Sequence, residues 1–354
     1  WEKDGVLGQH GRWEKFHEKL MANSARLVGA NPSEVVVMNA LTVNINLLLI
    51  SFYQPTRNRH KIIIEKGAFP SDQYAVESHL HLHRFDPKDS LTELTPRTGE
   101  TTLRTEDIVD TINDLGEELA TIIIGGVNYY TGQAFDMETI TKAGKSVGAF
   151  VGFDLAHAAG NIHLNLHEWN VDFAAWCTYK YLCAGPGAPS GIFVNDKHHH
   201  WTGPRLVGWW GQNKQTRFDM GPEFDTIQTA EGWQISNAPV LGMAPLLASM
   251  KIYDDVGMIA ICDKSEKMTG YMEFLLKENL PEINIITPNG PNQRGCQLSL
   301  VIPGGKAIFE SITQKGVVCD WREPDVIRVA PHPLYNQYSE VYNFVQIILH
   351  TILG

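Results

Sequence analysis

The sequence predicts an α/β fold: a mainly parallel central sheet with helices on both faces, followed by a smaller α+β unit. Three observations carry this. Six short β-branched runs are apolar on both faces, helical patterns stand between several of them, and the order of elements changes past residue 236. The runs are "VVVM" (35–38), "KIIIE" (61–65), "TIII" (121–124), "AFVGFD" (149–154), "FAAW" (173–176) and "GIFV" (191–194). Strands covered on both sides read this way. The intervening helices are expected near 42–54, 71–83, 105–115 and 134–147. Such alternation builds a doubly wound sheet with its ligand at the carboxyl ends of the strands.

The Trp-, Gly- and Pro-rich stretch 201–235 reads as an irregular connection, and loops of that length are often functional. Helices are expected next near 237–252 and 262–280. Strands near 296–302, 317–320 and 326–330 then enclose a helix near 305–315, and a last helix covers 338–353. We therefore expect a segment 1–27, a large domain 28–236 and a small domain 237–354.

A chain of 354 residues exceeds one small core. Hydrophobic and charged contents of 43% and 19% describe an ordinary globular protein and exclude wholesale disorder. The net charge of −11, with no run of Lys or Arg, argues against a nucleic-acid partner. Five cysteines (Cys177, Cys183, Cys262, Cys296, Cys319) without a CxxC pair suit neither a disulfide framework nor a zinc ribbon. A reducing, cytoplasmic setting and no metal are expected. The longest apolar run, "INLLLISFY", is too short to span a membrane. No signal-peptide pattern opens the chain, and a first residue of Trp1 leads us to expect an upstream segment.

Four features fall at strand ends. In "MNALTVNIN" (38–46), Leu41 and Thr42 start a helix, with Thr42 as a candidate N-cap. Such a start suits a phosphate, or is a plain cap. In "GAFPSDQY" (67–74), Phe69 and Pro70 close a strand, then Ser71 and Asp72 open a helix. The Phe69 ring either stacks on a flat ligand or packs in the core. In "VGFDLAHAAGN" (151–161), Asp154 ends an apolar strand just before His157. A desolvated carboxylate there needs a cation or donors, unless it caps a helix. Finally, "WCTYKYLCAGPG" (176–187) sets Lys180 between Tyr179 and Tyr181 at the end of the next strand. Lysine is seldom buried, so Lys180 is either a surface residue or an amine held as a nucleophile. An imine-forming lysine, a carboxylate for a pyridine nitrogen, a stacking ring and a phosphate cap together are what pyridoxal phosphate needs. Two histidine groups look like decoys: His79, His81 and His83 follow a helical pattern, where i, i+2 and i+4 do not all share one face, and His198–His200 read as a solvated turn.

These stretches, with "GVNYYTGQ", "LVGWWG", "ISNAP", "RGCQLSL" and "GVVCDWREPDVIRVAPHPLYN", resemble the kynureninases. These are fold-type I, class V aminotransferase-like pyridoxal phosphate enzymes, and the match runs in order from about residue 28 to the C-terminus. The resemblance implies that Lys180 holds the cofactor, Asp154 pairs with its ring nitrogen, and His157 sits by the ring. Phe69 stacks on it and Asp72 bonds near its hydroxyl, with Pro70 and Ser71 in the same turn. Leu41, Thr42, Tyr179 and Trp209 would hold the phosphate. Asn237 would reach the cofactor and substrate across a homodimer interface, with Ser236 beside it on the substrate. Arg328 would clamp the substrate carboxylate bidentately, which lysine cannot do. Gly125 is a cofactor-site position where the family usually carries Ser or a similar donor, so that contact is lost or replaced. A substrate-contacting histidine of the family's N-terminal segment has His10 as its nearest candidate.

The activity implied is hydrolytic cleavage of L-kynurenine or its 3-hydroxy form to L-alanine and an anthranilate, within tryptophan catabolism and NAD biosynthesis. Lys180 would be the base and Tyr179 the proton donor. Alternatives are another class V reaction, such as cysteine desulfuration or transamination, and a non-catalytic scaffold. A desulfurase would want a mobile cysteine, whereas Cys296 and Cys319 sit in strand-like sequence.

Overall fold

The alternation of apolar side chains along each strand decides which helices cover which face. In a computed structural model, which describes residues 13–290, 292–302 and 304–353, Ile62 and Ile64 face one core while Ile63 faces the other, and Ile123 opposes Ile122 and Ile124 in the same way. The strands are β1 (Val35–Val37), β2 (Lys61–Glu65), β3 (Leu91–Leu94), β4 (Leu119–Gly125), β5 (Phe150–Asp154), β6 (Phe173–Trp176) and β7 (Gly191–Val194). They form one sheet in the order β1-β7-β6-β5-β4-β2-β3. Pairing is parallel from β3 to β6, while β7 is antiparallel to both β6 and β1. The reversed β7 turns β1 back into the direction of β6, so β1, β2, β4, β5 and β6 all end on one edge.

The helices around this sheet are α1 (Met21–Val28), α2 (Leu41–Phe52), α3 (Pro70–Leu82), the short α4 (Pro87–Ser90), α5 (Thr105–Leu115) and α6 (Met137–Ser146). α2 and α3 cover one face; α1, α5 and α6 cover the other. β5 carries Gly152 because a Cβ there would meet the Phe173 ring at 2.2 Å. The ring can then lie across the sheet and stack on Phe52 at 4.9 Å.

A second, antiparallel sheet follows, from β8 (Asn284–Ile285), β9 (Leu298–Val301), β10 (Asp320–Arg322) and β11 (Val326–Val329) in the order β10-β11-β9-β8. It shares a core with α8 (Met258–Asn279), α9 (Gly305–Gln314) and α10 (Tyr338–Leu353). α7 (Val240–Val256) instead buries Met243, Leu246 and Met250 in the core of the first sheet. On this packing we propose a boundary inside α8, between Ile261 and Met268, rather than at 236/237.

The six expected strands all form, and so do the expected helices. Several details differ. Ala40, in extended conformation, is the N-cap of α2, so Thr42 lies inside its first turn and does not cap it. α3 starts at Pro70, whose fixed φ and missing N–H suit a first helical position, rather than at Ser71. The strand expected at 317–320 begins only at Asp320, because the Val317 N–H still bonds Ile312 O at the end of α9. Edge strand β3 was not expected; "LTEL" is half polar and lacks a β-branched run. The stretch 201–235 holds only short 3₁₀ turns, as expected. Among the described residues no helix is long and apolar enough to cross a membrane. His10 lies outside the described residues.

His198 is not solvated. Its Nε2 donates to buried Asp172 at 2.7 Å, where Lys197 stands 3.1 Å away, Lys145 also pairs, and the Val151 N–H donates at 2.8 Å. Burial pulls the Asp172 carboxyl up, but His198 and the two lysines outweigh it and hold it at about 2. Removing one partner of a buried ion cluster leaves the others uncompensated. Asp172→Asn should therefore cost about 3–5 kcal/mol at neutral pH, read as a lower urea midpoint. A depressed carboxyl contributes fully above its unfolded value near 4 and loses that contribution as pH falls toward 2. The gap between wild type and variant should close over that window.

Candidate active site

A cavity of about 490 Å³ opens at the edge where the five strands end. Leu41 and Thr42 reach it from the start of α2; Phe69, Ser71 and Asp72 from the turn into α3. Gly125 comes from β4, Asp154 and His157 from β5 and the turn beyond, and Tyr179 and Lys180 from the turn after β6. Arg328 enters from β11 of the second sheet. Pro70, Trp209, Ser236 and Asn237 do not line it. Pro70 serves as the first residue of α3, and the Trp209 Nε1 donates to Arg217 O at 3.0 Å.

Lys180 is aimed by the backbone around it. The Cys183 N–H bonds Lys180 O, the Ala184 N–H bonds Thr178 O, and Thr178 Oγ1 donates to Pro189 O at 2.7 Å. Gly185 and Gly187, at φ +86° and +76°, take turns that side chains disfavour. His332 Nε2 and the Tyr253 hydroxyl both donate to Tyr181 O, tying the turn to α7 and the second sheet. Lys180 Nζ thus lies 3.0 Å from His157 Nε2 and 5.6 Å from the Phe69 ring centroid. Burial first, then the charges of Lys180, Arg328 and Arg322, push His157 well below its ordinary range. A neutral His157 accepts from Lys180.

The acids form the opposite wall. Asp154, 7% exposed, accepts the Ala156 N–H at 2.7 Å and a hydrogen bond from the Asp72 carboxyl. Burial and the Asp154 charge hold Asp72 well above the usual carboxylate range, so Asp72 is the protonated partner. Burial also raises Asp154, while Asp72, the Ala156 N–H and Lys180 oppose that rise. Tyr179 is half exposed and is shifted upward by burial and by Cys177, which keeps its phenol protonated. α2 begins at the cavity with no side-chain cap, leaving its first N–H groups free for an anion.

Sequence reasoning missed Glu65, Tyr129, Tyr181, Arg322 and His332, all of which line the cavity. Glu65 was legible by the rule that picked out Asp154, an acid ending an apolar strand. Its carboxylate accepts the Gly125 N–H at 3.1 and 3.2 Å, and a Cβ at Gly125 would lie 3.0 Å from it. Glycine at 125 therefore gives the acid room that a serine side chain would crowd. Tyr129 follows the end of β4 and was legible by the same strand-end rule, whereas nothing in the local sequence places His332 here, because it comes with the second sheet.

Solved structures with this architecture include a cysteine desulfurase from Thermococcus onnurineus NA1, with a TM-score of 0.81 at 17% identity over 95% of this chain and 84% of that one. Another is a cystine C–S lyase in complex with its product cysteine persulfide, at 0.78 and 17% over 98% and 90%. At such identity they show the fold alone, which is the fold-type I architecture of pyridoxal-phosphate-dependent transferases. Sequence relatives are far closer. Kynureninase of Christiangramia forsetii is 54% identical over 348 residues, covering 97% of this chain and 82% of that protein. The kynureninase of Myxococcus xanthus is 53% identical over 355 residues, 98% and 83%. The kynureninase C-terminal domain family matches residues 261–348. The chain belongs to the kynureninase family.

Burial raises Glu65 to about 7, helped by Asp154 and opposed by its own and the Gly125 N–H groups. Above about pH 4.5 the unfolded chain sheds this proton first, so stability falls as pH rises through the window up to 7. Glu65→Gln removes that slope. In cofactor-free protein, its urea midpoint relative to wild type should be higher at about pH 8 than at about pH 4. A constant difference would refute the raised value.

Proposed function

We propose that the chain cleaves the Cβ–Cγ bond of L-kynurenine by hydrolysis, releasing L-alanine and anthranilate, with pyridoxal 5′-phosphate held on Lys180. The observation that carries this is one cavity with Lys180 and buried Asp154 on the sheet side and Arg328 facing them from the second sheet. The residues present fit the cofactor. Asp154 is a buried carboxylate whose protein partners are one N–H and a neutral acid, which suits a cationic ring nitrogen. The uncapped start of α2, with the Thr42 hydroxyl, suits the phosphate. The cofactor supplies an electron sink for a carbanion beside the amino group.

The chain's own groups do the rest. Lys180 Nζ takes the Cα proton, and its contact with neutral His157 holds the amine in place. Water adds to the carbonyl carbon, and as its bond to Cβ breaks that carbon leaves as the carboxyl group of anthranilate while the Tyr179 hydroxyl gives a proton to Cβ. Arg328 binds the α-carboxylate. Phe69 and Ser71 form the wall beside the ring.

A desulfurase-like chemistry has no nucleophile here: none of the five cysteines lines the cavity. With pyridoxal phosphate added, the wild-type protein should show visible cofactor absorbance and release alanine and anthranilate from kynurenine, without sulfide from cysteine. Lys180→Ala should abolish turnover and the absorbance band that sets the lysine-bound cofactor apart from free pyridoxal phosphate. A variant that keeps that band would sink the role of Lys180, and a colourless, inactive wild type would favour a scaffold.

We also propose a homodimer with shared sites, and a cytoplasmic setting suited to five unpaired cysteines. Leu206, Val207, Trp209, Met220 and Leu241 are exposed by 45–83%, an apolar surface that a second copy would cover. Trp209, Ser236 and Asn237 lie outside their own chain's cavity, as residues that serve a partner's site would. Inactive Lys180→Ala chains mixed with inactive Trp209→Ala chains should regain activity, because a mixed dimer holds one intact site. No recovery on mixing would mean that each chain builds its site alone.

A further inference from the structure

The carboxylate end of the cavity holds more than Arg328. β10 and β11 pair antiparallel with Asp320 opposite Arg328, and the period of two in a strand puts Arg322 on the same face as Asp320. The register itself therefore brings two guanidinium groups and one carboxylate together. The Oδ2 of Asp320 accepts from Arg328 Nη2 and forms an ion pair with Arg322 Nη2 at 2.9 Å. Arg328 Nη1 donates to Tyr129 O at 2.6 Å. Both of its terminal nitrogens are thus held, while its Nε is buried without a partner, as is the Nε of Arg322. Both arginines line the cavity, and Arg322 lies 5.9 Å from the Tyr129 ring centroid.

The charges do not balance. Among the described residues neither guanidinium pairs with any acid except Asp320. Two cations share one anion, which leaves one positive charge facing the cavity, and one carboxylate completes it. Nη2 carries two hydrogens. With Asp320 on one of them, the other and the free Nε–H form the side edge of the fork that a carboxylate binds bidentately.

We propose that Asp320 and Arg322 complete the carboxylate subsite that Arg328 begins. Asp320 is a positioning residue: with Tyr129 O it holds both terminal nitrogens of Arg328 and leaves the Nε–H unpaired for a ligand. Arg322 is the second cation, and it sets the preference for an aryl-keto amino acid with a free α-carboxylate over neutral analogues. This rests on the reading of Arg328 as the carboxylate clamp.

The test uses the holoenzyme and two ligands, the kynurenine analogue that lacks only the α-amine and the carboxamide of that analogue, each titrated calorimetrically. Wild type should bind the acid more tightly than the amide. Asp320→Asn and Arg322→Gln should each weaken the acid by about tenfold or more, leave the amide unchanged, and raise KM for kynurenine more than they lower kcat. Asp320→Glu should recover part of the loss. Retained amide binding shows that the variants are folded; if either fails that check, Asp320→Glu and Arg322→Lys carry the comparison. Acid affinity within twofold of wild type in both variants overturns the proposal. Tighter acid binding by Asp320→Asn also overturns it, since Asp320 would then compete with substrate. Arg328→Gln separates the two levels: if it leaves acid binding intact, the clamp reading fails and this inference with it. If only Arg328→Gln weakens the acid, the inference fails alone.

Discussion

The structure is organised around a carboxylate that the protein buries and only partly neutralises. Asp154 ends β5 in the centre of the sheet, where desolvation costs a lone charge several kcal/mol of order. The chain offers it one N–H and the proton of Asp72, and Asp72 is in reach because Pro70 starts α3 where β2 ends. A second acid, Glu65, stands in the same wall and turns to the Gly125 N–H. Three acids around one cavity are tolerable only if protons or a cationic ligand settle their charge. The site is therefore built to gain stability when it takes up a cationic ligand.

How much of this was legible follows from the range of the forces involved. The strands were readable because β-branched runs covered on both faces leave a local imprint, and the site residues at strand ends followed from where such a sheet leaves its edge open. Lys180, Asp154, Phe69 and Thr42 are all of this kind. Thr42 as a cap was a misreading of one turn: the strained Asn39, at φ +48°, lets Ala40 take the cap position. His198 was misread for a different reason. Its partner Asp172 belongs to another element, and a pairing across the fold leaves no trace in a histidine triplet. Arg322 and His332 were invisible for the same reason, because their place is fixed by how the second sheet docks.

That docking gives the two sheets different tasks. The first carries every group matched to a flat, phosphate-bearing ring, and its edge geometry is common to structures at 17% identity that act on other substrates. The second contributes Arg322 and Arg328, the groups we propose to read the amino acid. It is held in register by polar contacts to the segment after β4: Gln297 Nε2 and Arg328 Nη1 both donate to Tyr129 O, and Tyr130 O accepts from Ser299 Oγ at 2.5 Å. The Tyr181 carbonyl, one residue past Lys180, receives His332 from the same side. The lysine and the carboxylate clamp are therefore positioned through one continuous set of hydrogen bonds. A shift of the second sheet would move Arg328 and disturb the turn that carries Lys180 together, which couples the two groups to which we assign the substrate's acid end and the reactive amine.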